Sequence, residues 1–438
     1  MSLKTIHEPA RDIPVIDETD VLVVGAGPAG IGAALAAGRS GVKTLLVEQF
    51  NCVGGMATSG LMSHFTGSAS SPFYRELVDA MEAHPPGQAP NTHTATWHGI
   101  RHEALKSVLL RKLDEAHVGL RLYTFACDAI MEGTRIRGIV CESKSGRGAI
   151  LAKVVIDGTG DGDVAARAGA AFQLGRDEDN ACQPVTLMFR IGGVDYERAV
   201  FPPSFESFIQ LPKGEIQALG KANLPFPAGH VLLYRTSIPN EVCVNMTNVI
   251  EIDGTKAEDL TRAERTCRQQ MDAIVLFLRE VVPGYENCYL VASAQNIGVR
   301  ETRHFRGEYT LTAEDIVEAR VFDDWIAARN AFNFDIHNTK GHGLDANGAQ
   351  REFRAKGEYT IPYRACVPET IDGLLLAGRN ISGTHKAHSN FRVMSICLNM
   401  GHGVGTAAAI AVQDGVRPRD VDVAKVQARL MAAGVTLK

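Results

Sequence analysis

"VLVVGAGPAGIGAALAAGRSGVKTLLVEQF", residues 21–50, is the stretch on which the fold turns. An unbroken apolar run stops at a glycine cluster, as a strand buried on both faces does. The small residues from Ala29 onward predict a tightly packed helix closed at Gly41, and "VKTLLVE" reads as a second strand ending on Glu48. Gly25, Gly27 and Gly30 thus form G-x-G-x-x-G between a strand and a helix, with an acidic residue closing the next strand. Gly25 permits the tight turn and Gly27 lets the backbone approach a pyrophosphate. The helix N-terminus directs N–H groups and partial positive charge at the phosphates. Glu48 is placed to accept hydrogen bonds from both hydroxyls of an adenosine ribose, and its charge disfavours a 2′-phosphate.

Two further segments repeat this style. "VVIDGTGDGDVAARAGA" puts Thr159, Gly160 and Asp161 at the end of an apolar strand that turns into a small-residue helix. "GLLLAGRNIS" is another buried strand ending in glycine, followed by the glycine- and alanine-rich "NMGHGVGTAAAIAV". A helix of that kind starting near Asn399 could approach a flat ring closely. Its N-terminal dipole would contribute about 0.3–1 kcal/mol at a carbonyl of that ring. Between these segments, "FYRELVDAMEA" and "HEALKSVLLRKLDEA" have helical spacing, "HPPGQAP" reads as a loop, and residues 119–157 alternate as strands. From 178 to 362 the character changes to Pro-rich turns, short strands and a long helix from Ala257 to about Glu280. These features predict an α/β protein in two parts. A discontinuous Rossmann-like domain takes residues 17–177 and 363–415, an inserted mixed α+β substrate or cap domain takes 178–362, and a tail helix takes 416–438. Ligand chemistry belongs at the seam between the parts.

Length, at 438 residues, suits two domains. A formal net charge of −5 without a basic block argues against nucleic acid as partner. No apolar run in this reading reaches the roughly 18–20 residues of a membrane span, and the first twenty residues lack a secretion signal's apolar centre, so a cytoplasmic location is expected. The nine cysteines are dispersed without C-x-x-C, which speaks against iron–sulfur or paired-cysteine zinc sites; Cys52 reads as packing. His98 and His102, spaced i, i+4, lack a third ligand and read as surface or capping residues, so no metal site is expected.

The motifs together resemble the FAD-dependent oxidoreductase family within the glutathione-reductase-like flavoproteins. "GAGPAG" with Glu48, "GGMATSG", "IDGTGDGDVA", "VRETRHFRGEYTLTAEDI" and "LLLAGRNISGTHKAHSNFRVM" with "MGHGVGTAAAIA" carry the likeness over residues 20–413. The resemblance implies FAD as cofactor, lying extended across a glutathione-reductase-type domain with its isoalloxazine at the seam. It assigns Gly25, Gly27, Pro28, Ala29, Gly30, Glu48, Gln49, Gly54, Gly55, Met56 and Thr58 to the FAD lining. Further along, it adds Cys127, Asp157, Gly158, Thr159, Gly160, Asp161, Gly378, Arg379, Arg392 and Met394. Many superfamily members carry A-G-D, whose aspartate binds the ribityl chain; here the sequence is Ala377-Gly378-Arg379.

No second dinucleotide motif follows residue 60, so electrons are expected to reach the flavin from the substrate and leave to oxygen, a quinone or a protein. Dehydrogenation needs a base for the departing proton and positive charge near the flavin pyrimidine. His385 and His388 are candidate bases, with Lys386 or Arg392 as charge. Arg300 or Arg303 could clamp a substrate carboxylate, or else pair with Glu301, Glu308 and Glu314. Asp335 and His337 alternate on one face of a short run, so the carboxylate could orient the imidazole. The expected partner is a small polar substrate bearing a carboxylate, with no nucleic acid or membrane, in a homodimer. Redox-neutral isomerisation or hydration, and a non-catalytic electron-transfer subunit, are the other readings; whether a substrate bleaches the flavin separates the first from dehydrogenation.

Overall fold

The computed structural model describes residues 4–84, 99–202, 204, 207–345 and 355–437. The seven-stranded main sheet contains β1 (Val15–Val24), β2 (Thr44–Val47), β3 (Val118–Arg121), β4 (Phe125–Glu132), β5 (Arg135–Ser143) and β6 (Gly146–Asp157), in the order β3-β2-β1-β6-β5-β4, with Leu374–Leu376 added beside β6. β1, β2, β3, β6 and Leu374–Leu376 run parallel, and β4 and β5 form an antiparallel meander with β6. Register decides what this sheet can bind. Val24 pairs with Val47 and with Asp157, and Asp157 with Leu376. Four strands therefore end at one level, and the turns after them at Gly25, Glu48, Gly158 and Gly378 share one edge.

Helix α1 (Pro28–Arg39) begins two residues past the first of those turns, with Pro28 at a position where no N–H is missed. α2 (Pro72–Glu82) and α3 (His102–Glu115) follow, the latter burying Ala104, Leu105, Val108, Leu109 and Leu113 as its spacing predicts. The "HPPGQAP" loop from residue 85 on, with Trp97 and His98, lies outside the described residues. His102 does not sit at the surface: it is buried at the start of α3, its Nε2 3.0 Å from the Met62 carbonyl.

A second core is separate from the first and spans Val185–Ala294, with Leu61 inserted from the first part. Its sheet contains β7 (Phe189–Gly192), β8 (Leu233–Arg235), β9 (Val242–Val244) and β10 (Tyr289–Ser293), antiparallel in the order β8-β9-β7-β10. α4 (Ala257–Val281) contributes Ala263, Cys267, Met271, Ile274 and Leu278 to this core; three- and four-residue steps keep them in one stripe. Burying each larger apolar side chain contributes roughly 1.5–3 kcal/mol. Residues short of the expected boundary at 362 also reach the first core. Phe305, Trp325, Ile326, Tyr359 and Ile361 pack into it, the strand Trp325–Asn330 lying against the C-terminal helices.

α5 (His385–Phe391) leads into α6 (Met394–Asp414), and α7 (Val423–Ala432) closes the chain with Val426 and Leu430 buried. α6 starts at Met394, five residues before the expected Asn399, and its glycines serve packing rather than a ring. A Cβ on Gly401 would lie 2.0 Å from the Ala29 carbonyl oxygen, and one on Gly405 2.2 Å from that of Ala33. α1 and α6 thus touch backbone to backbone, and a valine at either glycine would force them apart. By length and composition α6 could cross a membrane, contrary to the sequence-based expectation of no such run. Its most apolar window is 94% buried inside the protein, as a core helix is.

Candidate active site

The edge where the four strands end forms a cradle for an extended, phosphate-bearing ligand. Gly25 has φ +94°, and a Cβ there would lie 2.5 Å from the Gly158 carbonyl oxygen, so the first and third motifs meet without room for a side chain. Gly27 differs: no atom lies within 4 Å of where its Cβ would be. It caps α1 without any side-chain bond to the helix end, which leaves the first-turn N–H groups directed into open space. Gly55 and Gly378 close in from other sides, their Cβ positions 3.0 Å from the Gly27 Cα and 3.1 Å from the Ala29 Cβ. Thr58 fixes the Gly54–Gly55 turn by donating to the Val53 carbonyl at 2.6 Å. Met56 packs beneath Gly60 and beside Gly298 of the second part.

Glu48 is buried, its two oxygens accepting the Ala26 N–H at 2.7 Å and the Phe50 N–H at 2.9 Å. Burial raises its pKa against those donors. Each oxygen keeps a lone pair for a ribose hydroxyl, and Gln49 stands exposed beside it. An open glycine at an uncapped helix end, facing a carboxylate with acceptor capacity, fits the adenosine diphosphate half of FAD.

Asp157 lies at the end of β6, where it organises the turn that follows. It accepts from Thr159 N–H at 3.1 Å, the Thr159 hydroxyl at 2.7 Å and Ala165 N–H at 2.8 Å, so both oxygens are engaged in shaping the turn. Burial raises its pKa to about 6. Arg379 lies over Gly160 and bonds Asp161 at 3.0 Å; the arginine of A-G-R is thereby paired with the middle motif. Cys127 is half-buried, its thiol toward the Val140 carbonyl.

At the seam the chain collects charge. Arg300 is partly buried, and one terminal nitrogen donates to the Pro184 carbonyl at 2.6 Å and the Thr186 hydroxyl at 2.7 Å. It does not pair with Glu301, because consecutive residues of an extended segment point to opposite sides. Arg303 instead bonds the Asp161 carbonyl and Asp163, and Glu308 pairs with Arg419. Arg392 donates to Asp335 at 2.8 Å, and His337 Nε2 stands 3.4 Å from the same carboxylate oxygen. Burial, then Arg392, lowers the Arg300 pKa to about 10. Burial, then Arg300, lowers that of His337 to about 4, leaving a neutral imidazole at pH 7. Burial works to raise Asp335, but His337 and the two arginines hold it well below the usual carboxylate range.

A second group lies on the other side of Gln183. Glu301 accepts from His304 Nε2 at 2.8 Å, from His385 Nδ1 at 2.6 Å and from the Gln183 N–H at 2.9 Å. Burial alone would raise its pKa; the two histidines pull it well below normal. His388 is 1% exposed, with the rings of His304 and Phe391 edge-on at 4.6 and 5.5 Å. Gln183 joins the groups, since its side-chain oxygen accepts the His337 N–H at 3.2 Å. Among the described residues, several buried polar atoms of this seam have no hydrogen-bond partner: Gln183 Nε2, Arg392 Nε, His304 Nδ1 and both ring nitrogens of His388. His337, Arg300, His385 and His388 are thus gathered at one seam but divided between two clusters. Gln183 and the central place of Glu301 were not foreseen; the alternation of 300 and 301 was the available signal. Glu301, His304 and His388 also form a possible ion-holding set, where no metal site was expected.

Residues 20–430 match the family described as FAD dependent oxidoreductase. Over 66 residues the chain is 39% identical to sarcosine oxidase subunit alpha of Rhizobium meliloti (strain 1021), covering 15% of this chain and 7% of that protein. Over 162 residues it is 28% identical to thiamine thiazole synthase of Aeropyrum pernix, covering 34% of this chain and 57% of that protein. The chain therefore spans less than two thirds of either relative. A geranylgeranyl bacteriochlorophyll reductase-like protein of Thermoplasma acidophilum superposes with a TM-score of 0.48 at 14% identity, covering 95% of this chain and 83% of that one. The chain belongs to the FAD-dependent oxidoreductase family, and its cofactor is FAD.

Proposed function

We propose that this FAD-dependent oxidoreductase dehydrogenates a small polar substrate bearing a carboxylate, bound at the seam under the second core acting as a cap. The observation that carries this reading is a charge imbalance. Among the described residues, Arg300 and Arg392 stand partly buried around one carboxylate, Asp335, and the Arg392 Nε has no hydrogen-bond partner. A buried cation without its counter-charge costs several kcal/mol, and a bound carboxylate would remove that cost with two-pronged hydrogen bonds.

FAD, when bound, supplies the hydride acceptor. The chain's own residues do the rest. Arg300 and Arg392 orient the substrate by its carboxylate. His337 presents its Nε2 to Asp335 and serves as the base. As the substrate carbon gives up hydride, the hydroxyl or amine proton passes to His337, and a carbonyl or imine results. The two electrons would leave to oxygen, a quinone or a protein acceptor. Asp335 acts as a positioning residue, holding the imidazole tautomer.

Anaerobic mixing of the FAD-loaded protein with a panel of α-hydroxy and α-amino acids tests this. At least one member is expected to bleach the oxidised flavin band. His337→Gln is expected to slow that reduction about 100-fold or more with substrate affinity nearly unchanged, the size of a lost general base. A reduction rate unaltered in His337→Gln would remove it from the mechanism, and binding without bleaching across the panel would favour redox-neutral chemistry.

A further inference from the structure

We infer that Glu301, His304 and His388, with His385 at the rim, form a site for one divalent first-row transition ion. Three imidazoles converge on one carboxylate oxygen: His385 Nδ1 at 2.6 Å, His304 Nε2 at 2.8 Å and His388 Nδ1 at 3.9 Å from Glu301 Oε1. Donors about 2.0–2.1 Å from a common ion stand roughly 2.9–3.4 Å apart at right-angle or tetrahedral spacing. The observed separations bracket that range, so small side-chain adjustments would complete the shell. The donor atoms of Glu301, His304 and His388 lie within 4.8 Å of one another. Imidazole with carboxylate is the donor set of Fe²⁺, Mn²⁺, Co²⁺ or Zn²⁺ rather than Ca²⁺ or Mg²⁺.

The independent observation is His388. Among the described residues neither of its buried ring nitrogens has a hydrogen-bond partner, and its Nδ1 stands 3.9 Å from Glu301 Oε1. A buried polar atom of this kind destabilises the fold unless something pairs with it. The rings of His304 and Phe391 stand edge-on against His388, which is 1% exposed, and this leaves room for an ion rather than an organic group. The donors come from the segment that carries Arg300 and from the helix that ends beside Arg392. An ion there would tie the two together and set the spacing of the guanidiniums. The site stands on its own donors and does not rest on the substrate proposed above.

The test is the metal content of the FAD-loaded protein after dialysis against each of these ions and then against metal-free buffer. About one ion per chain is expected for at least one metal, together with a higher Tm that a strong chelator reverses, because binding to the folded state alone stabilises it. Glu301→Gln and His388→Ala should each lose the ion while keeping the wild-type ratio of flavin to protein. If His388→Ala fails to fold, His304→Gln carries the same expectation. Arg300→Met should keep the ion, which separates this test from failure of the substrate reading. Wild-type protein holding less than about a tenth of an ion per chain, with Tm unmoved by all four metals, would overturn the assignment.

Discussion

The cradle and the seam lie in one molecule and handle polarity in opposite ways. In the cradle, Asp157 accepts three hydrogen bonds from its own turn and Glu48 two from neighbouring backbone. Among the described residues the seam leaves Gln183 Nε2, Arg392 Nε and the His388 ring nitrogens without partners, where the cradle leaves only Asn380 Oδ1. A self-satisfied scaffold is rigid before any ligand arrives. An unsatisfied one stores a cost that a suitable ligand relieves, and that relief is a source of specificity.

The strongest way to break the comparison is within the glycine motif itself. Gly30→Ala would place a Cβ 1.8 Å from the Gly25 carbonyl oxygen, so loss of soluble folded protein is expected on expression. Gly27→Ala meets no atom within 4 Å. That variant should fold with an unchanged apoprotein Tm but bind FAD at least about tenfold more weakly, about 1.4 kcal/mol, as measured by flavin fluorescence on titration. Equal behaviour of the two variants would refute the division between a packing glycine and a phosphate-facing one.

Why the cradle was legible and the seam was not follows from that contrast. Gly25, Gly27 and Gly30 act through backbone geometry within six residues, so spacing alone exposes them. The same holds for Glu48, which closes the strand after them. The seam is assembled by side chains from residues 183, 300–304, 335–337 and 385–392, and only tertiary packing brings these together. Arg300, His337, His385 and His388 could be named as candidates from their types, yet their division into two clusters depends on Gln183, which carries no motif. The glycines of α6 misled for a related reason. Small residues serve a flat ring and a neighbouring helix equally well, and α1 is the neighbour.

An effect confined to acid pH bears on the rule that unpaired buried groups are costly. His402 stacks on Phe73 at 4.1 Å with its Nδ1 unpartnered, and burial lowers its pKa to about 4 from an ordinary 6.5. A folded-state pKa below the unfolded one contributes stability that is complete above pH about 6.5 and is lost as pH falls toward 4. The loss is about 3 kcal/mol over that window. His402→Leu should therefore keep or raise stability at pH 7 and unfold with a shallower acid dependence, by about one proton, in chemical denaturation across pH 4–7. An unchanged pH slope would contradict the assignment. The smallest effect belongs to the surface: Glu76→Gln, which breaks the partly exposed pair with Arg39 at 2.7 Å, should cost only about 0.2–1 kcal/mol in the same experiment.

On the proposed reading, the substrate brings the anion that Arg300 and Arg392 hold. Equilibrium titration of the FAD-loaded protein under anaerobic conditions, with an α-keto acid product and its uncharged amide, reads this through the flavin spectrum. The acid should bind about 100-fold more tightly, about 2.7 kcal/mol, and Arg392→Leu should erase most of that preference while FAD remains bound. Equal affinity for acid and amide, or a preference that survives Arg392→Leu, would contradict the account.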